Sequence, residues 1–352
     1  MIDWTQSMNQ TYEYYVVNPS TWRDGDKIPN VKTASIVRDS TVETLGSATF
    51  DVTDLVGECY VRTYLIASQN GITERIPLGT HLVQTPSSSF NGKIRTISMD
   101  AYTPLLELKE NPPPLGYSIF KGENVMKTAQ MIIREHMRAP VVGILSDETL
   151  YSDFVANTND TWLSFNSDLV SYAKYYLDLD EMGRLIFSPK RDTAALQPVW
   201  TYTDDNSSIL QPDLSTEHDI YGIPNVIEVI YSKNNEHYYS RVVNDDPNSP
   251  ISTVNRGREI IYRITDPDKV GAPTQEQLDE YAEQQLRNSS TLEYTVTYTH
   301  AYCPVRLGDC VRLNYIRAGL VDVKAKVISQ NIKCEPGCPV TEKAIYTVKL
   351  WR

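Results

Sequence analysis

The stretch from Tyr294 to Tyr302 constrains the fold more than any other part of the chain. Its large residues recur at every second position. Tyr294, Val296, Tyr298, His300 and Tyr302 fall on one face, and Thr295, Thr297 and Thr299 on the other. A period of two is that of a pleated strand, not of a helix. Ala48-Thr49-Phe50-Asp51-Val52-Thr53 alternates in the same way, and Tyr60–Ala67 is rich in β-forming residues. Asn70-Gly71 and Asn91-Gly92 are tight-turn signals. The first separates Tyr60–Ala67 from Ile72–Ile76, the second Thr80–Thr85 from Ile94–Ala101. Short strands punctuated in this manner predict a small barrel or sandwich.

Asn111-Pro112-Pro113-Pro114-Leu115-Gly116 interrupts the strands, because proline cannot donate to a ladder. It marks a domain boundary. Glu123–Met137 then reads as a helix with Val125, Ala129, Ile132, Ile133 and Met137 on one face. A second helix is expected with Asp160 as its cap. Its stripe is Trp162, Phe165, Leu169, Tyr172, Ala173 and Tyr176. A hairpin follows, Tyr175–Leu179 and Arg184–Ser188 around Met182-Gly183. Asp204–Tyr221 is polar and turn-rich, a second boundary. Strands resume at Asn225–Ser232, a loop is expected over Asn244–Pro250, and Thr274 with Gln277 forms a capping box. The helix behind that box carries Leu278, Tyr281, Ala282 and Leu286. Strands at Val311–Ile316, Val321–Gln330 and Ala344–Trp351 complete the set.

The fold class expected is mainly β with an α+β middle domain: two antiparallel β-barrels, a small α+β domain and a helical insertion. The boundaries are 1–108 for the first barrel, 109–215 for the middle domain and 216–352 for the second barrel. The insertion occupies about 241–290.

Function classes narrow by chemistry. Among 352 residues, 41% are hydrophobic and 22% charged, enough for a packed core. The net charge of −12, from 45 acidic and 33 basic residues, argues against tight nucleic-acid binding, which needs a basic surface. The 23 Tyr against 6 Phe suit sheets and also protein interfaces. The N-terminus shows no secretory pattern, and no apolar run approaches the roughly 18 residues of a membrane span. The expectation is synthesis in a cytoplasm.

No catalytic set is legible. His81, His136, His218, His237 and His300 are scattered, and no zinc-protease helix, nucleophile elbow or phosphate loop is present. His300 reads as a packing residue, because its face is otherwise aromatic. The acidic groups Asp178/Asp180/Glu181, Asp204/Asp205 and Asp245/Asp246 read as solvated or capping acids. A glycosidase needs two carboxylates held across a cleft. The first group also lacks the regular spacing of a calcium loop. Of the five cysteines, Cys59 stands apart, while Cys303, Cys310, Cys334 and Cys338 lie near the end. Only Cys334 and Cys338 have zinc-like spacing. Buried thiols, a zinc site and a local disulfide all remain open. The expected catalytic, cofactor-binding and metal-ligating residues are none, and no cofactor is expected.

Several segments, taken in order, resemble bacteriophage tail-tip and baseplate hub proteins. Tyr60-Val61-Arg62-Thr63-Tyr64-Leu65, Ile76-Pro77-Leu78-Gly79-Thr80-His81-Leu82-Val83 and Ser98-Met99-Asp100-Ala101-Tyr102 resemble the family's first domain. Asp160-Thr161-Trp162-Leu163 is similar to the start of its middle-domain helix. Pro224-Asn225-Val226-Ile227-Glu228-Val229 resembles its return to strand. The run Asn244–Thr253 followed by Gly257-Arg258 is the most specific piece. Pro304-Val305-Arg306-Leu307-Gly308-Asp309-Cys310-Val311 resembles a strand entry, with Cys310 where a small apolar residue is usual. The resemblance covers nearly the whole chain.

The resemblance implies barrels of the tail-tube type, as in the N-terminal part of type VI secretion spike proteins. It implies a homotrimer that adapts a six-fold tail tube to a three-fold spike or fibre, within the virion. Its partners would be tail-tube or distal tail proteins, a central spike or fibre, and the tape-measure protein. DNA would pass through an acidic channel without specific binding. Some family members continue into a hydrolase or fibre domain; this chain stops at Trp351-Arg352, so such activity is expected on another protein. The competing readings are a carbohydrate-binding module and a module associated with a cell-wall hydrolase.

Overall fold

The computed structural model describes residues 2–54, 57–93, 95–191, 193–205, 208–233, 236–265, 267 and 274–351. The first third supplies β1 (Asn9–Val17), β2 (Asp24–Lys27), β3 (Val31–Asp39), β4 (Gly46–Val52), β5 (Tyr60–Gln69), β6 (Ile72–Phe90) and β7 (Arg95–Tyr102). The middle supplies α1 (Leu106–Lys109), β8 (Ser118–Ile119), α2 (Val125–His136), β9 (Phe154–Val155), α3 (Trp162–Tyr172), β10 (Tyr175–Leu179) and β11 (Leu185–Pro189). Next come β12 (Trp200–Thr203), β13 (Leu210–His218), β14 (Val226–Lys233), β15 (Glu236–Val243), α4 (Thr253–Arg256), β16 (Ile261–Thr265) and α5 (Gln275–Ser289). The chain closes with β17 (Thr291–Ala301), β18 (Cys310–Tyr315), β19 (Leu320–Lys333) and β20 (Pro339–Lys349). The protein is mainly β with few helices, as the alternation predicts.

Two compact units result, residues 1–214 with 297–344 and residues 215–296 with 345–352. In the first unit a sheet runs β20-β19-β3-β4-β7-β6-β5-β1-β2. The long strand β19 carries two partners along one course. Its first half pairs with β18, Cys310 opposite Lys326, and its second half with β3, Ser329 opposite Asp39. Strand β12 runs parallel to β18. The apolar side of β4, with Ala48, Phe50 and Val52, packs with Leu65, Met99 and Ile332. Helices α2 and α3 make a separate core with the hairpin β10–β11, around Ile133, Phe165, Leu169 and Leu185.

Several expectations need correction. Asp160 does not cap α3. Thr161 does, in a reciprocal capping box with Ser164, while Asp160 accepts the backbone N–H of Asn157 at 2.7 Å. Thr161 wins because its backbone is already extended and its hydroxyl reaches the third helical N–H. Helix α3 ends at Tyr172, which is 49% exposed, and Tyr176 belongs to β10. The polar stretch Asp204–Tyr221 contains β13. Exposure of most of its side chains leaves no apolar alternation to read. Strand β6 is one continuous element where two were expected. It tolerates Pro77 because the pairing with β5 shifts register between Thr63 and Tyr64. Ile94, expected to open the next strand, lies outside the described residues.

The second unit holds the three-stranded sheet β15-β14-β16. Ile227, Val229 and Tyr231 of β14 pack on Leu278, Ala282 and Leu286 of α5. The capping box of Thr274 with Gln277 starts that helix as the sequence predicts.

Candidate functional site

The first unit builds a joint at the tip of the hairpin β10–β11. Arg62 on β5 is only 1% exposed. Its Nε donates to Thr80 Oγ1 at 2.9 Å, Nη1 to Asp24 Oδ1 at 2.7 Å, and Nη2 to the carbonyl of Met182 at 3.0 Å. Trp22 Nε1 donates to the same Met182 carbonyl at 2.7 Å. A planar, multi-donor guanidinium can hold all three partners at once, which an ammonium cannot do with fixed geometry. Asp24 is further held by Tyr64 Oη at 2.8 Å, and the Arg75 guanidinium sits 3.5 Å from the centre of the Tyr64 ring. The hairpin can enter this close because residue 183 is glycine. A Cβ there would stand 2.7 Å from Thr80 Cβ, and its φ of +72° suits glycine best.

The acids singled out in the sequence, Asp178, Asp180 and Glu181, lie on the same hairpin. Glu181 pairs with Arg306 Nε at 2.7 Å and with Arg38 at 3.7 Å. Asp180 takes Arg184 Nε at 2.6 Å. Asp178 accepts from Ser188 Oγ and from the Leu179 N–H, both at 2.8 Å. Burial pushes the Asp178 carboxyl up, and it does the same for Asp309 across the adjoining cleft. That cleft has a volume of about 240 Å³ and is lined by Tyr176, Asp178, Arg306, Asp309 and Lys326. Asp309 closes its own turn by accepting the Arg306 N–H at 2.8 Å. These carboxylates fasten turns and neutralise arginines. His81 lines a smaller hollow of about 50 Å³ with Arg38 and Glu181. Burial, then the Arg38 charge, lowers its pKa to about 3, so its ring is neutral.

A second polar cluster is fully enclosed. His300 Nδ1 contacts the Ala301 carbonyl at 2.7 Å; its Nε2 lies 3.1 Å from Tyr202 Oη and 3.5 Å from Glu342. Cys303 Sγ stands 3.3 Å from Tyr202 Oη. Tyr298 Oη donates to Glu342, and Gln330 Nε2 donates to the other Glu342 oxygen at 2.7 Å. Burial opposes a charge on His300, but Cys303 and Glu342 prevail and raise its pKa to about 10. The residue types suggest a cysteine–histidine pair, yet His300, Glu342 and Gln330 are all at most 2% exposed. The cluster ties β17, β19 and β20 together from within.

Sequence reasoning weighed His300 and Cys303 as candidate chemistry and gave no such role to Arg62, Gln330 or Glu342. The available signal was phase: Glu342 alternates with Val340 and Ala344, so an acid stands where an apolar residue is due. The aromatic row offered by the carbohydrate-binding reading is interior. Tyr298 is 1% and Tyr302 5% exposed, while Tyr294 stacks on Tyr346 at 5.0 Å. Asp204 holds Arg317 at 3.2 Å, and Asp246 accepts the Asn248 N–H at 2.8 Å. Asp205 and Asp245 are exposed. The five thiols are free; Cys59 is half-buried and the other four buried. Among the described residues no cluster of three or more histidine, cysteine or acidic side chains has a metal-binding arrangement. No described helix is long and apolar enough to cross a membrane.

These features define a class: a β-rich fold in which a helical middle segment locks into the sheet. No protein-family model matches this chain, and no curated protein matches it. Solved structures do. A tail protein from Neisseria meningitidis MC58 is similar at a TM-score of 0.65 and 12% identity, over 96% of both chains. The 43 kDa tail protein of prophage MuSo2 from Shewanella oneidensis is similar at 0.62 and 11%, over 96% of this chain and 98% of that one. A chain of the lidded Francisella PdpA–VgrG complex is similar at 0.54 and 9%, over 97% of this chain and 52% of that one. The chain has the fold of phage tail proteins.

Proposed function

We propose that this chain is a non-enzymatic structural subunit of a phage tail tip or baseplate. It works as a homotrimeric hub that adapts a six-fold tail tube to a three-fold spike or fibre. The observation that carries the reading is the end-to-end likeness to two tail proteins, with almost nothing left over in either chain. The buried joint around Arg62 suits a part that must hold its shape under load.

In this reading segments 1–108 and 216–352 serve as tube-like domains and 109–215 as the domain between them. A head-to-tail contact that closes makes a ring, and two related domains per chain let a trimer meet a six-fold partner. Tail-tube or distal tail proteins, a central spike or fibre and the tape-measure protein are the partners. The net charge of −12 suits a channel that DNA traverses without adhering. The protein resides in the virion after assembly in the host.

The test is mass in solution, followed by electron microscopy. A stable trimer forming rings supports the hub. A monomer that binds glycans overturns it.

A further inference from the structure

We propose that the hollow at the hairpin β10–β11 is a binding site for internal water, roughly one or two molecules, which bridge the His81 ring of β6 to Glu181 of the hairpin. The hollow has a volume of about 50 Å³, and His81, Gly79, Thr80, Arg38, Glu181 and Arg306 are among the residues that line it. A water takes about 30 Å³ in the liquid, whereas pockets for organic ligands run to roughly 300 Å³ or more. The space fits water and is too small for a substrate-sized guest.

The hydrogen bonding of the ring requires it. His81 is 3% exposed, and among the described residues no group hydrogen-bonds to its Nδ1. Burial and the Arg38 charge keep the ring neutral, so one nitrogen carries a proton and the other a lone pair. Protein interiors meet such a demand with ordered water where no side chain reaches. Arg306 Nε lines the same hollow and is also buried. It stands 2.7 Å from Glu181 Oε1 but is not aligned to hydrogen-bond with it. A water beside Glu181 gives both nitrogens a partner. Gly79 keeps the ring against bare backbone, since a Cβ there would stand 2.6 Å from His81 Cε1 and 3.3 Å from Nδ1.

Charge selects water over an ion. Arg38 and Arg306 both pair with Glu181, at 3.7 and 2.7 Å. Asp180 and Asp178 also line the hollow. Asp180 is taken by Arg184 at 2.6 Å, and Asp178 accepts from Ser188 Oγ and the Leu179 N–H. The two arginines thus face two carboxylates, and the third carboxylate has its own cation. A buried ion needs a counter-charge, and here neither sign is left over. Water needs only polar partners, which His81, Glu181 and Arg306 supply. The bridge adds a second link between β6 and the hairpin, beside the one through Thr80 and Arg62. The site lies within the first unit and does not rest on the tail reading; a monomeric chain with this water would keep the inference and lose that reading.

The test is a high-resolution crystal structure of the full chain, with long-lived internal waters counted in solution by magnetic relaxation dispersion of labelled water. Density is expected within roughly 2.7–3.2 Å of a His81 ring nitrogen, and as close to a Glu181 oxygen. Crystals pressurised with xenon should show no xenon in the hollow, because dry apolar cavities take up that gas and hydrated polar ones do not. Crystals soaked in bromide should show no anomalous peak there. His81→Phe keeps a ring and removes both nitrogens; it should lose the bridging density and lower the count of long-lived waters. The measurements on the unaltered protein decide the matter if that variant does not fold. A hollow without density, xenon or bromide in the unaltered protein, or the same water retained in His81→Phe overturns the proposal.

Discussion

Arg62 donates to the main-chain carbonyl of Met182, 120 residues away in sequence, at 3.0 Å. One interior guanidinium thereby fixes where the middle hairpin meets the first strands. Replacing it strands Asp24, Thr80 and the Met182 carbonyl without their shared donor. Arg62→Met should cost about 3–5 kcal/mol in urea unfolding, the range for breaking a buried charged pair. Arg62→Lys should recover only part of this. A loss below about 0.5 kcal/mol, the scatter of surface substitutions, would show that the hairpin docks by other means.

Gly183 and Gly71 both occupy left-handed backbone, at φ of +72° and +80°, but differ in surroundings. Nothing lies within 4 Å of a Cβ at 71, whereas at 183 it meets Thr80. Gly71→Ala should cost about 1 kcal/mol for backbone strain alone. Gly183→Ala should cost about 1–3 kcal/mol more through overpacking. Equal losses in parallel thermal melts would refute the close approach.

His300 and His81 give opposite pH dependences. The folded pKa of His300 lies above its ordinary value, at about 10. Its contribution to stability is complete below about pH 6.5 and is lost as pH rises toward 10. The folded pKa of His81 lies below its ordinary value, at about 3. Its contribution is present above about pH 6.5 and lost as pH falls toward 3. His300→Gln should flatten the alkaline limb of a stability–pH curve and His81→Leu the acid limb. Unaltered limbs in both variants would exclude these residues as the sensitive groups.

Burial pushes the thiols of Cys334 and Cys338 up to about 12 and about 11. Thiolates are the reactive form, so both should resist an aromatic disulfide reagent in the native protein. Cys59, half-buried, should react first, and all five should react in urea. Rapid native labelling of Cys334 or Cys338, located by peptide mapping, is the contrary result.

Elements governed by local rules were legible in the sequence. The alternation of β17, the turn at Asn70-Gly71 and the box at Thr274 each depend on residues a few positions apart. The joint was not legible, because Arg62, Asp24, Thr80 and Met182 meet only after the chain has folded. Tyr60–Leu65 is buried at every position, so period two vanishes and an inward arginine looks like an outward one. The enclosed Glu342 is hidden likewise, since its partners Tyr298 and Gln330 come from other strands. Strand β13 escaped notice for the opposite reason: too few of its side chains are buried to leave a pattern.

Strand β19, paired with β18 in its first half and β3 in its second, acts as a tie rod. Tension entering near Asp39 passes from its pairing with Ser329 into one covalent backbone and leaves opposite Cys310 at Lys326. Between those two attachment points lie Val327 and Ile328, held by main-chain bonds to Gly308, Asp309 and Ser40. Its tensile limit is set by shearing a ladder, and both ladders share the same rod.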